Sequence, residues 1–251
     1  MRVEEQSTPV QNSFSAGFRD GIPIGLGYFS VSITFGMMAV MNGLPVWAAV
    51  VISMTNVTSA GQFAGLGILC GGGTLFEMAL TQLVINLRYA LMSLSVAQKL
   101  DRHVNLTDRF LFSFMMTDEV FAVSAGQKSD VGKRYCFGLM IAPYLGWAAG
   151  TLCGAVASRF LPDSVRSALG IAIYGMFIAI VVPVAKQSKA VLAVVALAIA
   201  LSCGMHYLPF LNQISSGFAI IICTVIAAAA GALCAPVPEH PPADVETEAA
   251  L

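Results

Sequence analysis

GIPIGLGYFSVSITFGMMAVMNGLPVWAAVVISMTNVTSAGQFAGLGILCGGGTLF, residues 21–76, runs for 56 positions without an Asp, Glu, Lys or Arg. A helix rises 1.5 Å per residue, so about 20 apolar residues span the hydrocarbon of a bilayer, and this stretch holds two such lengths. It is also interrupted twice by chain-turning sequence. Asn42-Gly43-Leu44-Pro45 is a tight-turn signal, and Cys70-Gly71-Gly72-Gly73 gives the backbone too much freedom for a continuing helix.

Further charge-free runs follow at residues 135–158, 167–185 and 190–238. Over all 251 residues the hydrophobic fraction is 57%, the charged fraction 11% and the mean hydropathy +0.78. Soluble domains are about 25% charged, so the fold class is an all-α, polytopic integral membrane protein. A net charge of −1 offers no basic surface for nucleic acid. The six cysteines form no CxxC pair and sit among apolar neighbours, where they read as small hydrophobes. Neither a metal nor a cofactor is expected.

Residues 1–20 read as a polar N-terminal arm, 21–235 as the transmembrane transport domain and 236–251 as a disordered, acidic, Pro-rich tail. Apolar runs and breakers place spans near 22–42, 46–69, 75–97, 110–125, 135–158, 167–185, 190–206 and 217–235. The count is eight, with seven as the alternative because the fourth carries Asp118 and Glu119 in its middle. With eight crossings, one side receives Arg2, Arg19, Lys128, Lys133, Arg134, Lys186 and Lys189, and the other Lys99, Arg102, Arg109, Arg159 and Arg166. Seven against five leans only slightly towards cytoplasmic termini. Trp47, Trp147 and Tyr207, near span ends, read as interfacial anchors.

Gly27-Tyr28, Leu44-Pro45 and Gly61-Gln62-Phe63 are echoed by Pro143-Tyr144, Leu161-Pro162 and Gly175-Met176-Phe177, at offsets of 116, 117 and 114 residues. Two three-helix repeats would produce this pattern. They are parallel if the fourth segment crosses the membrane and inverted if it does not.

The densest polar run inside an apolar stretch is Ser53-Met54-Thr55-Asn56-Val57-Thr58-Ser59-Ala60-Gly61-Gln62. Facing lipid, each amide would lose hydrogen bonds worth several kcal/mol, so these groups face protein, water or a ligand. With Gly61 and Gly65 they suit a helix broken near the midplane, whose freed N–H groups can hold a carboxylate. An unbroken helix with small residues for close packing is the alternative. Asn86 and Arg88 lie deep in the third span, about 200° apart on a helix, so only one of them points straight at a common cavity. A membrane-embedded Arg needs a partner, and Asp118 and Glu119 are the obvious ones. Asn56, Ser59, Gly61, Gln62, Asn86 and Arg88 are therefore the candidate substrate-binding residues, and Asp118 and Glu119 the candidate proton-coupling or ion-pair residues. Glu77, just after the Gly-rich turn, suits a structural place at a helix N-terminus.

NVTSAGQF (Asn56 to Phe63), INLRY (Ile85 to Tyr89) and TDEVFAV (Thr117 to Val123), in this order and spacing, resemble the AzlC family of branched-chain amino acid exporters. The opening GIPIGLGYFSVSITFGMMA is similar to the family's first span, and the likeness covers roughly residues 16–235. The resemblance implies secondary-active export of valine, leucine, isoleucine or methionine across the plasma membrane, together with a small AzlD-like membrane subunit. Two departures stand out: NVTSAGQF replaces an Ala-rich FAGAAQF-like sequence, and NLRY replaces NLRH. The first makes the cavity more polar and keeps a more polar small solute as an alternative substrate. The second removes a proton carrier at position 89.

No GxxxxGK[ST] phosphate loop is present, so the chain does not hydrolyse ATP itself. The expected mechanism is alternating access. Asn56, Ser59 and Gln62 would hold the zwitterion's ends, Met- and Phe-lined surface its side chain, and Asp118 or Glu119 a coupling proton. A non-transporting scaffold subunit is the competing class. An intramembrane enzyme lacks an HExxH motif and any nucleophile–base pair in the sequence.

Overall fold

The computed structural model describes residues 10–158 and 181–235, together with residues 160, 162, 164, 175 and 178. The chain forms two compact units, residues 1–177 and 178–251. The expected span at 167–185 lies largely outside the described residues, as does the tail at 236–251.

The first unit opens with a two-residue strand β1 (Val10–Gln11) and the helix α1 (Phe14–Met41). Ser13 caps α1, its hydroxyl accepting from the Ala16 N–H at 3.3 Å, so the helix starts inside the expected N-terminal arm. Next come α2 (Val46–Thr55), α3 (Ser59–Cys70), α4 (Leu75–Lys99), α5 (Leu106–Phe114), α6 (Asp118–Ala125), the strand β2 (Asp130–Val131) and α7 (Lys133–Ala157). The two strands pair in parallel, Val10 with Asp130 and Gln11 with Val131. The second unit holds α8 (Lys189–Tyr207) and α9 (Ser216–Cys234). These two run antiparallel, because Gly231 near the end of α9 packs on Val194 near the start of α8.

Five of these helices are long and apolar enough to cross a membrane: α1, α4, α7, α8 and α9. Among the described residues the expected spans at 46–69 and 110–125 are not crossings, which corrects the eight-span count. Each is a pair of half-helices. α2 and α3, of 10 and 12 residues, are about 15 and 18 Å long, roughly half of a 30 Å hydrocarbon layer.

Contacts fix the direction of each pair. Calling the end where α1 begins the near face and the end where it finishes the far face, α2 enters from the far face straight after α1. α3 returns there, since Cys70 Sγ lies 3.9 Å from the Asn42 carbonyl oxygen. A core of Phe35, Ala39, Ala49, Leu66 and Ala155 packs both half-helices against the far halves of α1 and α7. α5 and α6 do the converse from the near face. Lys99, closing α4, donates to the carbonyl oxygens of Ala125, at 2.5 Å, and Gln127, which pins the end of α6 beside the end of α4. Lys133, opening α7, pairs with Asp108 of α5 at 2.8 Å. Phe112, Met116, Val120, Tyr135 and Leu139 belong to the near-face core.

α1 and α7 run side by side in the same direction, with glycine wherever their backbones meet. A Cβ on Gly36 would lie 2.0 Å from the Thr151 carbonyl oxygen, and one on Gly154 would lie 2.0 Å from that of Ile33. This is the small-residue packing that lets helices approach closely in lipid. Two non-crossing segments precede α7, so α1 and α7, the first members of the expected repeats, are parallel although the fourth segment does not cross; the later echoes at Leu161-Pro162 and Gly175-Met176-Phe177 lie largely outside the described residues.

Candidate functional site

Both hairpins turn at mid-depth, and both turns carry the same local chemistry. α2 ends at Thr55, and Asn56 leaves the helix with φ −138° and ψ 87°. The chain stays extended to Thr58, whose hydroxyl caps α3 by accepting from the Gly61 N–H at 3.4 Å. At the other turn Thr117 caps α6 by accepting from the Val120 N–H at 3.4 Å, which sets Asp118 and Glu119 in its first turn. Threonine suits both places because its hydroxyl satisfies one of the four N–H groups a helix start leaves unpaired. Two helix N-termini, each carrying partial positive charge, thus start near the middle of the membrane.

α4 passes both turns. On one side Thr58 donates to Asn86 Oδ1 at 2.9 Å, Asn86 Nδ2 donates to Gln82 Oε1 at 2.9 Å, and Gln82 Nε2 donates to the Gly61 carbonyl oxygen at 2.7 Å. Gly61 leaves room for this network: a Cβ there would lie 2.7 Å from Gln82 Oε1 and 2.8 Å from Thr58 Cγ2, so either side chain would have to shift. On the other side Arg88 Nη1 pairs with Asp118 Oδ2 at 2.8 Å, and the guanidinium stacks 4.8 Å from the centre of the Tyr89 ring. The Tyr89 hydroxyl accepts from Arg88 Nη2 at 3.0 Å. Asn86 and Arg88 point to different hairpins, as their angular separation requires. Arg88 and Asp118 are 45% and 41% exposed along their side chains, and Glu119 is exposed beside them. The second carboxylate oxygen of Asp118, Oδ1, is buried without a hydrogen-bond partner among the described residues.

α1 and α7 hold the turns from behind. Tyr28, halfway along α1, donates its hydroxyl to Glu119 Oε2. Tyr144, at the matching place in α7, donates to the Met54 carbonyl oxygen at 3.0 Å, satisfying a carbonyl that the break of α2 frees. Gln62, 1% exposed, is fully engaged: Trp147 Nε1 donates to its Oε1 at 2.6 Å, and its Nε2 donates to Ser53 Oγ at 3.0 Å. Ser53 Oγ and Thr151 Oγ1 share a further hydrogen bond at 2.7 Å.

Of the residues picked from sequence, Asn56 and Ser59 stand half-buried at the first turn, and among the described residues their side chains have no hydrogen-bond partner. Arg88, Asp118 and Glu119 come together at the second. Gly61, Gln62 and Asn86 sit behind the first turn in saturated contacts that hold α3 to α4 and α7. Trp147 is not an interfacial anchor: it is 2% exposed, and its ring meets that of Tyr28 edge-on at 5.3 Å. Tyr28, Ser53, Gln82, Thr117, Tyr144, Trp147 and Thr151 were not picked from sequence as site residues. The tyrosines had a signal, the echo of Gly27-Tyr28 in Pro143-Tyr144, whereas the others depend on tertiary contact. Glu77 is 3% exposed in the first turn of α4, after the Thr74 cap, a structural place.

Because both amide ends of Gln62 are used, Gln62→Leu is expected to leave the Trp147 N–H without a partner and to take one of Ser53's two hydrogen bonds, the one to Thr151 remaining. That costs about 1–3 kcal/mol per buried group and lowers the thermal unfolding midpoint in detergent. An unchanged midpoint would show that water replaces the amide.

Comparison with known proteins places these elements in a wider set. The family model described as AzlC protein matches residues 23–161. The chain is 26% identical over 204 residues to the inner membrane protein YgaZ of Escherichia coli K12, covering 78% of this chain and 83% of that one. It is 32% identical over 196 residues to an uncharacterized membrane protein of Archaeoglobus fulgidus, covering 76% and 86%. An uncharacterized membrane protein of Helicobacter pylori is 29% identical over 162 residues, covering 61% and 70%. No solved structure matches the chain.

Proposed function

Since the chain belongs to the AzlC family, which its match over residues 23–161 shows, we propose that it is a secondary transporter of the plasma membrane that exports branched-chain or other small apolar amino acids by alternating access. A small AzlD-like membrane subunit works with it. The observation that carries this reading is the Arg88–Asp118 pair, two-fifths exposed at the level where both hairpins turn. Charge exposed to hydrocarbon is costly, so the pair belongs on a water-accessible pathway.

An amino acid zwitterion fits such a place. Its carboxylate would take Arg88, and its ammonium would take Asp118, whose Oδ1 has no partner among the described residues. Asn56 and Ser59, whose side chains have no hydrogen-bond partner among the described residues, supply further polar groups at the first turn. Gln62, Gly61 and Asn86 act on the substrate through the shape of the wall they hold. The hairpins α2–α3 and α5–α6 would be the far-face and near-face gates. Asn56 and Ser59 also favour a second reading, a more polar small solute.

The hairpins support one orientation. With neither crossing, Arg19, Lys99, Arg102, Arg109, Lys128, Lys133 and Arg134 all fall at the near face, and no described Lys or Arg of the first unit falls at the far face. By the positive-inside rule the near face is cytoplasmic. Inverted vesicles from cells making the chain and its partner are expected to take up labelled valine, leucine or methionine, faster with an imposed pH gradient. In a variant keeping only Cys70, a membrane-impermeant maleimide is expected to label the thiol from outside intact cells. Uptake of none of the three overturns the transport reading, and labelling only after lysis overturns the orientation.

A further inference from the structure

The charges gathered at the second turn do not cancel. Arg88 contributes +1, Asp118 and Glu119 −1 each, and Asp118 already takes Arg88. Among the described residues Glu119 has no cation. From α1 it meets Tyr28, whose hydroxyl donates to it. α4 brings Arg88 and Tyr89 to this level, α7 brings Trp147 against Tyr28 and also Tyr144, whose hydroxyl is turned to the Met54 carbonyl oxygen, and α5 ends there in Phe114 without a titratable group. Asp20, Lys99, Tyr135 and Cys136 lie towards the near face, at the other end of α6.

Resting on the transport reading above, we propose that Glu119 is the residue that carries the coupling proton, and that Tyr28 transmits its state to the near-face hairpin. The surplus negative charge at mid-depth is one unit, and one proton neutralises it. Asp118 has no such need, because Arg88 neutralises it already. Binding forms an O–H bond at a Glu119 carboxylate oxygen with a proton taken from one face. Release breaks that bond and returns the proton to the other face, with no electron transfer and no other bond altered.

The coupling to movement is a change in one hydrogen bond. As a carboxylate, Glu119 accepts a charge-assisted bond from Tyr28, which ties the first turn of α6 to the middle of α1. Such bonds are roughly twice as strong as neutral ones. Once Glu119 is protonated that tie is weakened, and Arg88 is left as the charged tie of α5–α6 at mid-depth, beside the apolar packing of Met116 and Val120. The site is thereby linked to whether the near-face hairpin is docked.

The test is exchange of labelled leucine against unlabelled leucine in vesicles carrying the chain and its partner, measured from pH 5.5 to 8.5, beside gradient-driven uptake. Wild type is expected to show a pH-dependent exchange rate. Glu119→Gln keeps an acceptor for Tyr28 but carries no titrating proton. Its exchange is expected to become independent of pH and its gradient-driven uptake to fall at least about tenfold. Tyr28→Phe, which keeps the ring, is expected to displace the pH profile without flattening it, and it serves as the second variant if Glu119→Gln does not reach the membrane. Asp118→Asn is expected to raise the KM for leucine and keep the pH dependence. A Glu119→Gln profile identical to wild type, or a flat profile in Asp118→Asn alone, overturns the assignment. Absence of exchange in wild type removes the transport reading itself, a different result from the other two.

Discussion

Arg88→Gln is expected to reduce amino acid exchange at least about 100-fold, the largest effect on activity of any substitution at the second turn. It leaves Asp118 and Glu119 facing each other at mid-depth without a cation, and removes the group proposed for the substrate carboxylate. Its effect on stability should be smaller. A pair two-fifths exposed lies between the surface limit of about 0–1 kcal/mol and the buried limit of about 3–5 kcal/mol, so about 1–3 kcal/mol is expected. The double substitution Arg88→Gln with Asp118→Asn removes both charges and so separates the two readings of the pair. If the pair only locks α4 to α6, the double variant should recover stability and activity together. For a transporter it should recover the unfolding midpoint in detergent and stay inactive. Recovery of exchange would make Arg88 structural and favour the scaffold-subunit reading.

Gly154→Leu is expected to have the largest effect on folding. Its Cβ would lie 2.0 Å from the Ile33 carbonyl oxygen, and a backbone atom in a packed helix cannot turn aside as a side chain can. Ordinary overpacking costs about 1–3 kcal/mol, and separating two helices along their length costs more. The expected result is loss of the monodisperse protein peak in detergent at normal transcript levels. Gly67→Ala is the control: a Cβ there meets nothing within 4 Å, and exchanging Gly for Ala inside a helix gains up to about 1 kcal/mol. A soluble, monodisperse Gly154→Leu protein would mean that α1 and α7 do not hold the first unit together.

The membrane class, the break at Asn56 to Thr58 and the pairing of Arg88 with an acidic neighbour were all legible in the sequence. Each rests on a cost that one chain segment imposes by itself: too few charges for water, too many polar groups for lipid, a guanidinium without a partner. The direction of the chain after each break was not legible. Residues 46–70 have the length and apolarity of one crossing, and only the approach of Cys70 to Asn42 shows that they turn back. The same holds for α5 and α6, pinned by Lys99 and Lys133. The near tie in the Lys and Arg count followed from treating both hairpins as crossings, which assigned 99–109 and 128–134 to opposite sides. Within the site, Gln62 and Asn86 were picked for their polarity. That property alone does not distinguish an amide facing a substrate from one saturated by Trp147 and Ser53, or by Thr58 and Gln82.

Two half-depth hairpins entering from opposite faces also have an electrical consequence. If they open in turn, as the proposed alternating access requires, the transmembrane voltage falls mainly across the shut half, over about 15 Å instead of about 30 Å. Glu119 and Arg88 then sit at the potential of whichever face is open. The charges stay where they are while the field moves past them, so a membrane voltage, worth about 2.3 kcal/mol per elementary charge at 100 mV, can act on a site whose own residues barely move.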